Sequence, residues 1–187
     1  NGPVGATIAA LLGRYGVTTL VLDKTHEVLL MPRAIALDNE ALRILQLAGL
    51  SEDAFEKIVI PEVRMHSPVL GQFGRANTEG CIDGHPKLVT FYQPDLEHAV
   101  RSQVSRLKSV TSLGGFELEG LVEESDCVVA SVVDQNGQTH SVRAQYLVGA
   151  DGASSRVRAL IGQEFEGQTY AEDWLIVDVM NRHKSAI

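Results

Sequence analysis

The sequence predicts an α/β fold: a parallel sheet with helices, carrying an antiparallel meander. Three observations predict it. A glycine turn, Gly2-Pro3-Val4-Gly5, opens onto a slim helix and then a β-branched run, Val17–Leu22. The apolar period then changes from helical to alternating after Leu107, and Asn136-Gly137 marks a hairpin. Finally, the apolar run Tyr146–Ala150 leads straight into Asp151-Gly152 and a capped helix.

Each element has its own reason. Pro3 suits the first helical position, where its missing N–H costs nothing. Val4, Ile8, Leu11 and Leu12 recur at helical spacing, while Gly5, Ala6, Ala9 and Ala10 keep the helix narrow enough to lie close to a sheet. Gly16 is a C-terminal cap. Val17–Leu22 has no polar face, as expected of a strand buried on both sides. A loop, Lys24–Leu37, holds Met31-Pro32-Arg33-Ala34. Asp38 then caps a second helix with Leu42, Leu45 and Ala48 on one face and Gly49 at its end. Residues 61–92 read as short strands and loops, punctuated by proline and glycine. Gln93-Pro94-Asp95 opens a third helix with the stripe Leu96, Val100, Val104 and Leu107. Phe116–Glu119 and Cys127–Val133 alternate as meander strands. Ser154 and Ser155 cap a helix running to about Ile161, and Trp174–Met180 reads as one more strand.

Composition narrows the function. The chain has 187 residues, 44% hydrophobic and 21% charged, enough to bury a core. Its formal charge of −8 disfavours a nucleic-acid partner, which needs clustered Lys and Arg. Cys81 and Cys127 have no metal or redox spacing, and the six histidines share no ligand spacing. Val4–Leu22 is broken by Gly13, Arg14 and Gly16, so it is not read as a membrane span, and it lacks the features of a signal peptide. A cytoplasmic enzyme is the expectation.

Two motifs carry chemistry. Gly2-Pro3-Val4-Gly5 reads as the back of a Gly-x-Gly-x-x-Gly turn, with its first glycine and preceding strand expected before Asn1. Such a turn lets backbone approach a pyrophosphate at a helix N-terminus. Asp23 stands eighteen residues after Gly5, at the strand's carboxyl end, where a ribose hydroxyl ligand is wanted. In the second motif, Asp151 can accept ribose or ribityl hydroxyls, and Gly152 permits close backbone approach. Taken singly, each motif also fits a plain turn before a helix.

Together these segments resemble the FAD-dependent aromatic hydroxylases, the single-component flavoprotein monooxygenases of the para-hydroxybenzoate hydroxylase type. The likeness runs through Val21-Leu22-Asp23-Lys24, Pro32–Arg43, Gln93-Pro94-Asp95-Leu96-Glu97, Gly149–Arg158 and Phe165-Glu166-Gly167. It implies an FAD-binding Rossmann-like domain over residues 1–170, with substrate-domain strands inserted around 61–92. The start of a substrate-domain sheet is expected at 171–187. A later Gly-Asp motif and most of the substrate domain are expected beyond the chain, so it reads as an incomplete fragment.

The resemblance also implies roles. Gly2, Pro3 and Val4 would meet the FAD pyrophosphate, and Asp23 the adenosine ribose, with Lys24 beside it. Arg33 and Ala34 would lie along the pyrophosphate and ribityl chain, with Arg33 also near the nicotinamide donor. Gln93 would contact the flavin end, Leu118 would approach the adenine through its backbone, and Asp151 would serve FAD and the reduced nicotinamide. Arg33 also fits a surface arginine, and Gln93 an ordinary polar helix start. The implied reaction is hydroxylation of a small phenolic ring with NADH or NADPH and O2, and no catalytic acid or base is singled out. Rival readings are another flavoprotein of the superfamily (epoxidase, halogenase or reductase), a plain NAD-dependent dehydrogenase, and a non-catalytic FAD-binding fragment. A homo-oligomer is left open.

Overall fold

Pro3 starts helix α1 (Pro3–Arg14) with Gly2 extended before it, and Gly16 turns the chain out at φ +74°. The small residues Ala6, Ala9, Ala10 and Gly13 are its buried face. The computed structural model describes residues 1–31, 33–172 and 175. Strand β1 (Thr19–Asp23) follows, then β2 (Ala36–Asp38) and α2 (Asn39–Leu47). As expected, Asp38 caps α2: its Oδ1 accepts from the Ala41 N–H at 2.8 Å. Next come β3 (Lys57–Val59), β4 (Glu62–Ser67), β5 (Gly71–Asn77), β6 (Cys81–Ile82), β7 (His85–Pro86) and β8 (Leu88–Phe91). Helix α3 (Gln93–Ser105) leads to β9 (Val110–Gly114). The meander is β10 (Phe116–Glu123), β11 (Val128–Asp134) and β12 (Thr139–Ala144), and α4 (Arg156–Leu160) comes after it.

The parallel pair is β1 with β9, in a register that sets Asp23 opposite Gly114. β9 was not foreseen as a strand. β2, β8 and β3 form an antiparallel sheet, β4 and β5 a hairpin, and β10–β12 the expected meander. Its turn uses Gly137 at φ +77°, a left-handed conformation that favours glycine.

One core joins these pieces. Ala6, Ala9 and Ala10 of α1 pack with Leu42 and Leu45 of α2, Val89 of β8, and Leu96, Val100 and Val104 of α3. Val89 is fully buried there, whereas Val69, Leu70 and Phe73 on the β4–β5 hairpin and its turn are exposed. Gly13 is where α1 touches β9: a Cβ there would lie 2.6 Å from Val110 Cγ2. The small-residue face thus does what the sequence suggested, bringing helix and parallel strands into close contact.

Three expectations are corrected or lie outside view. β1 is not buried on both sides, since Leu20 is 43% exposed. It has one described strand neighbour, and α1 covers only part of it. Tyr146–Ala150 lies in no strand ladder among the described residues, and Tyr146 and Val148 are exposed. Its end is nonetheless docked: a Cβ on Gly5 would sit 3.4 Å from Ala150 Cβ. The Trp174–Met180 strand lies outside the described residues apart from Leu175, which is exposed.

Candidate functional site

An open cleft of about 570 Å³ extends along β9 from Val110 to Gly114 and reaches the carboxyl end of β1, lined among others by Asn1, Asp23, His26, Arg101, Ser112 and Gly114. Ligands of open parallel sheets bind at this edge, and the volume suits a small-molecule site. Asp23 closes one side. Its Oδ1 accepts from the Thr25 N–H at 2.8 Å and from the Thr25 hydroxyl at 3.0 Å, while Oδ2 takes the backbone nitrogen of Asn1 at 2.6 Å. Burial pushes its carboxyl upward, and the hydrogen bonds from the Thr25 N–H and hydroxyl act against that.

The first turn of α1 stands next to Asp23, because Asn1 links the two. No side chain caps it, and its first backbone bond runs from the Ala6 N–H to the Gly2 carbonyl at 2.9 Å. A Cβ on Gly2 would meet nothing within 4 Å. An uncapped helix start of this kind offers N–H groups and a positive dipole end to an anion.

The second motif reaches the same turn through Ala150 against Gly5. Asp151 itself is engaged locally. Its Oδ1 accepts from the Ser155 hydroxyl at 2.5 Å, and its Oδ2 from the N–H groups of Arg156 at 2.6 Å and Val157 at 3.0 Å. Burial works against ionisation, but these donors prevail and keep the carboxyl below its ordinary range. Ser155 adds the expected cap, accepting from the Arg158 N–H at 3.0 Å.

Arg33 and Ala34 form a second group with Gln93. Both loop residues are exposed, and the buried Gln93 Oε1 accepts from their N–H groups at 2.7 and 2.8 Å. Through these bonds the Gln93 carboxamide holds the loop that carries Arg33. Its Nε2 donates to Glu97 Oε1 at 2.8 Å. Glu97 faces Arg101, which donates to the His26 carbonyl at 3.0 Å and lines the main cleft. Glu97, Arg101 and His26 were missed as site residues. The available signal was polar residues at four-residue spacing, 93, 97 and 101, beside an apolar stripe.

Lys24 falls at a neighbouring cavity of about 260 Å³, lined also by Glu117, Glu119 and Gln135 among others. Leu118, between Glu117 and Glu119, is not among its lining residues: alternation turns its side chain to the other face, where it stands opposite the buried Val132.

The residues present suit a polar, phosphate-bearing cofactor. Asn1 Oδ1 and Arg101 Nε are buried without hydrogen-bond partners, and both belong to residues lining the main cleft. Buried polar atoms are ordinarily paired, so these two point to a polar occupant.

A parallel strand pair, an uncapped glycine turn and an acid at the strand end together define a dinucleotide-binding α/β domain. The chain belongs to the FAD binding domain family, whose model matches residues 1–186. It is 36% identical over 186 residues to the 3-(3-hydroxy-phenyl)propionate/3-hydroxycinnamic acid hydroxylase of Escherichia coli (strain K12), with 96% of this chain and 33% of that protein covered. The chain thus spans about a third of the length of the curated relatives it matches. Among solved structures, the flavin-dependent monooxygenase PieE, in complex with FAD and substrate, superposes with a TM-score of 0.73 at 26% identity. That match covers 89% of this chain and 31% of PieE. The p-nitrophenol 4-monooxygenase PnpA from Pseudomonas putida DLL-E4 gives a TM-score of 0.80 at 24% identity, covering 90% of this chain and 43% of that one. At that identity the likeness concerns the fold alone. No helix among the described residues is long and apolar enough to cross a membrane.

Proposed function

We propose that the chain supplies the FAD-binding part of a flavoprotein monooxygenase that hydroxylates a small phenolic compound with NAD(P)H and O2 in the cytoplasm. The observation that carries it is the cleft beside the carboxyl ends of β1 and β9, lined by Asp23 and by two residues with unpartnered buried polar atoms, one of which, Asn1, leads into the uncapped start of α1. FAD would supply the redox and oxygen chemistry. The chain's residues bind and orient it. Gly2, Pro3 and Val4 present the helix start to the pyrophosphate, and Asp23 accepts from the adenosine ribose. Lys24 and the Leu118 backbone border the adenine side. Arg33 and Ala34 follow the pyrophosphate and ribityl chain, on a loop that Gln93 holds, with Arg33 available to the nicotinamide donor. Asp151 shapes the turn that approaches α1 from the other side.

The relatives' names support the substrate class, a phenol bearing a short acid side chain. The test is hydroxylation of such phenols under ¹⁸O₂ by the FAD-loaded protein with NADH or NADPH. One labelled oxygen in the ring product is expected. Nicotinamide oxidation with no label in any product would contradict the reading and favour a reductase.

A further inference from the structure

The roles above leave one buried polar chain unexplained. Gln93, Glu97 and Arg101 stand four apart on α3 and share one face of the helix. Glu97 is 3% exposed, beside the core residues Leu96, Val100 and Val104. A carboxylate in such a place is costly unless its oxygens are matched to donors.

The match has a directional consequence. A carboxamide has one accepting and one donating end of nearly the same shape, so its neighbours decide which end points where. Glu97 Oε1 can only accept, and it takes the Gln93 Nε2 at 2.8 Å. That turns Gln93 Oε1 toward the loop, where it receives the N–H groups of Arg33 and Ala34 at 2.7 and 2.8 Å. With the carboxamide reversed, two loop donors would face an NH₂ group. On the other side, Glu97 Oε2 lies 3.9 Å from Arg101 Nη2. Arg101 Nη1 donates to the His26 carbonyl at 3.0 Å, just beyond Asp23 and Thr25. One buried carboxylate is therefore linked to the Arg33 loop through Gln93 and to the wall of the main cleft through Arg101.

We propose that Glu97 is a positioning residue that sets the geometry of both ends of the cofactor site, through Gln93 at the Arg33–Ala34 loop and through Arg101 at the cleft. The ligand's identity rests on the FAD reading; the loop geometry does not. Glu97 acts by fixing donor and acceptor polarity, so exchanging the polarity of the pair preserves the arrangement.

The test is residue-resolved amide hydrogen exchange in the cofactor-free chain, with FAD titration as a second readout. In Glu97→Leu the Arg33 and Ala34 amides exchange about tenfold faster, the scale of one lost hydrogen bond. The amides of β11, remote from α3, keep their protection and report that the fold persists. Glu97→Gln, of nearly equal size, lowers loop protection partway, because its amide presents either end to Gln93. The double exchange Gln93→Glu with Glu97→Gln restores protection: the new carboxylate at 93 accepts both loop N–H groups, and the new amide at 97 donates to it. FAD affinity follows the same order. Unchanged loop exchange in both single variants, or a double variant as fast as Glu97→Leu, overturns the proposal. A wild-type chain that takes up no flavin contradicts the FAD assignment, while the exchange data still decide the role of Glu97.

Discussion

Asp23→Asn separates the ribose role of this residue from its role in the turn. Asn keeps Oδ1, and with it the bonds from the Thr25 N–H at 2.8 Å and the Thr25 hydroxyl at 3.0 Å, so the strand end holds its shape. What changes is Oδ2, the oxygen that faces the start of α1. An amide NH₂ there cannot accept from a ribose hydroxyl, and the negative charge is gone. A hydrogen bond to a charged group contributes about 1.5–3 kcal/mol. FAD should therefore bind about 10- to 150-fold more weakly, at about 1.4 kcal/mol per tenfold. FMN lacks the adenosine, so its affinity should be equal in the two proteins. The amide also faces the nitrogen of Asn1, and any loss caused by that contact alone appears with FMN as well. Fluorescence titration of wild type and variant with both flavins gives the comparison, with circular dichroism as the check on folding. Equal losses for FAD and FMN, or none for either, would refute the ribose assignment.

Other predictions follow from single positions. Arg33→Lys keeps the charge but loses the planar fork, so it should leave the fold intact while slowing anaerobic flavin reduction by NAD(P)H or speeding flavin release; stopped-flow and release assays matching wild type would return Arg33 to the surface. Asp151 has a folded pKa below its unfolded value of about 3.9, so the stability it contributes is present above that pH and lost as pH falls through the folded pKa. Asp151→Asn should therefore flatten the acid limb of a stability–pH curve below about pH 4, and an unchanged limb would exclude it as a contributor. Gly13→Ala gains about 1 kcal/mol of helix propensity but forces overpacking that costs about 1–3 kcal/mol. Its new Cβ would fall 2.6 Å from the β-branched Val110 and 2.7 Å from Leu107, so a lower urea midpoint is expected, and a raised one would show that α1 and β9 are not tightly packed.

Local chemistry was legible wherever a residue acts on its own neighbourhood. Asp38 caps α2, Gly137 turns the meander, and Ala6, Ala9 and Ala10 mark the face that meets the core. What escaped depends on distant partners. β9 has a mixed pattern, Val-Thr-Ser-Leu-Gly, and is a strand because β1 lies parallel to it. Tyr146–Ala150 has a strand's composition but lies in no strand ladder among the described residues. At the candidate site, the glycine turn and Asp23 could be put forward from the sequence because the fingerprint is compact. The bonds that Gln93 receives from Arg33 and Ala34 were not readable, because that loop lies some sixty residues earlier. Arg101 and His26 enter only because α3 packs beside β9, which brings Arg101 to the His26 carbonyl.

The central claim is that the first turn of α1, the end of β1 and the Arg33 loop form one FAD-binding surface. A ¹H–¹⁵N spectrum of the 20.2 kDa chain, recorded through an FAD titration, tests it most directly. The account predicts saturable shifts centred on the amides of Val4, Gly5, Thr25, Arg33 and Ala34, with the β4–β5 hairpin unmoved. Shifts confined to other residues, or none at these five as FAD is raised, would contradict it.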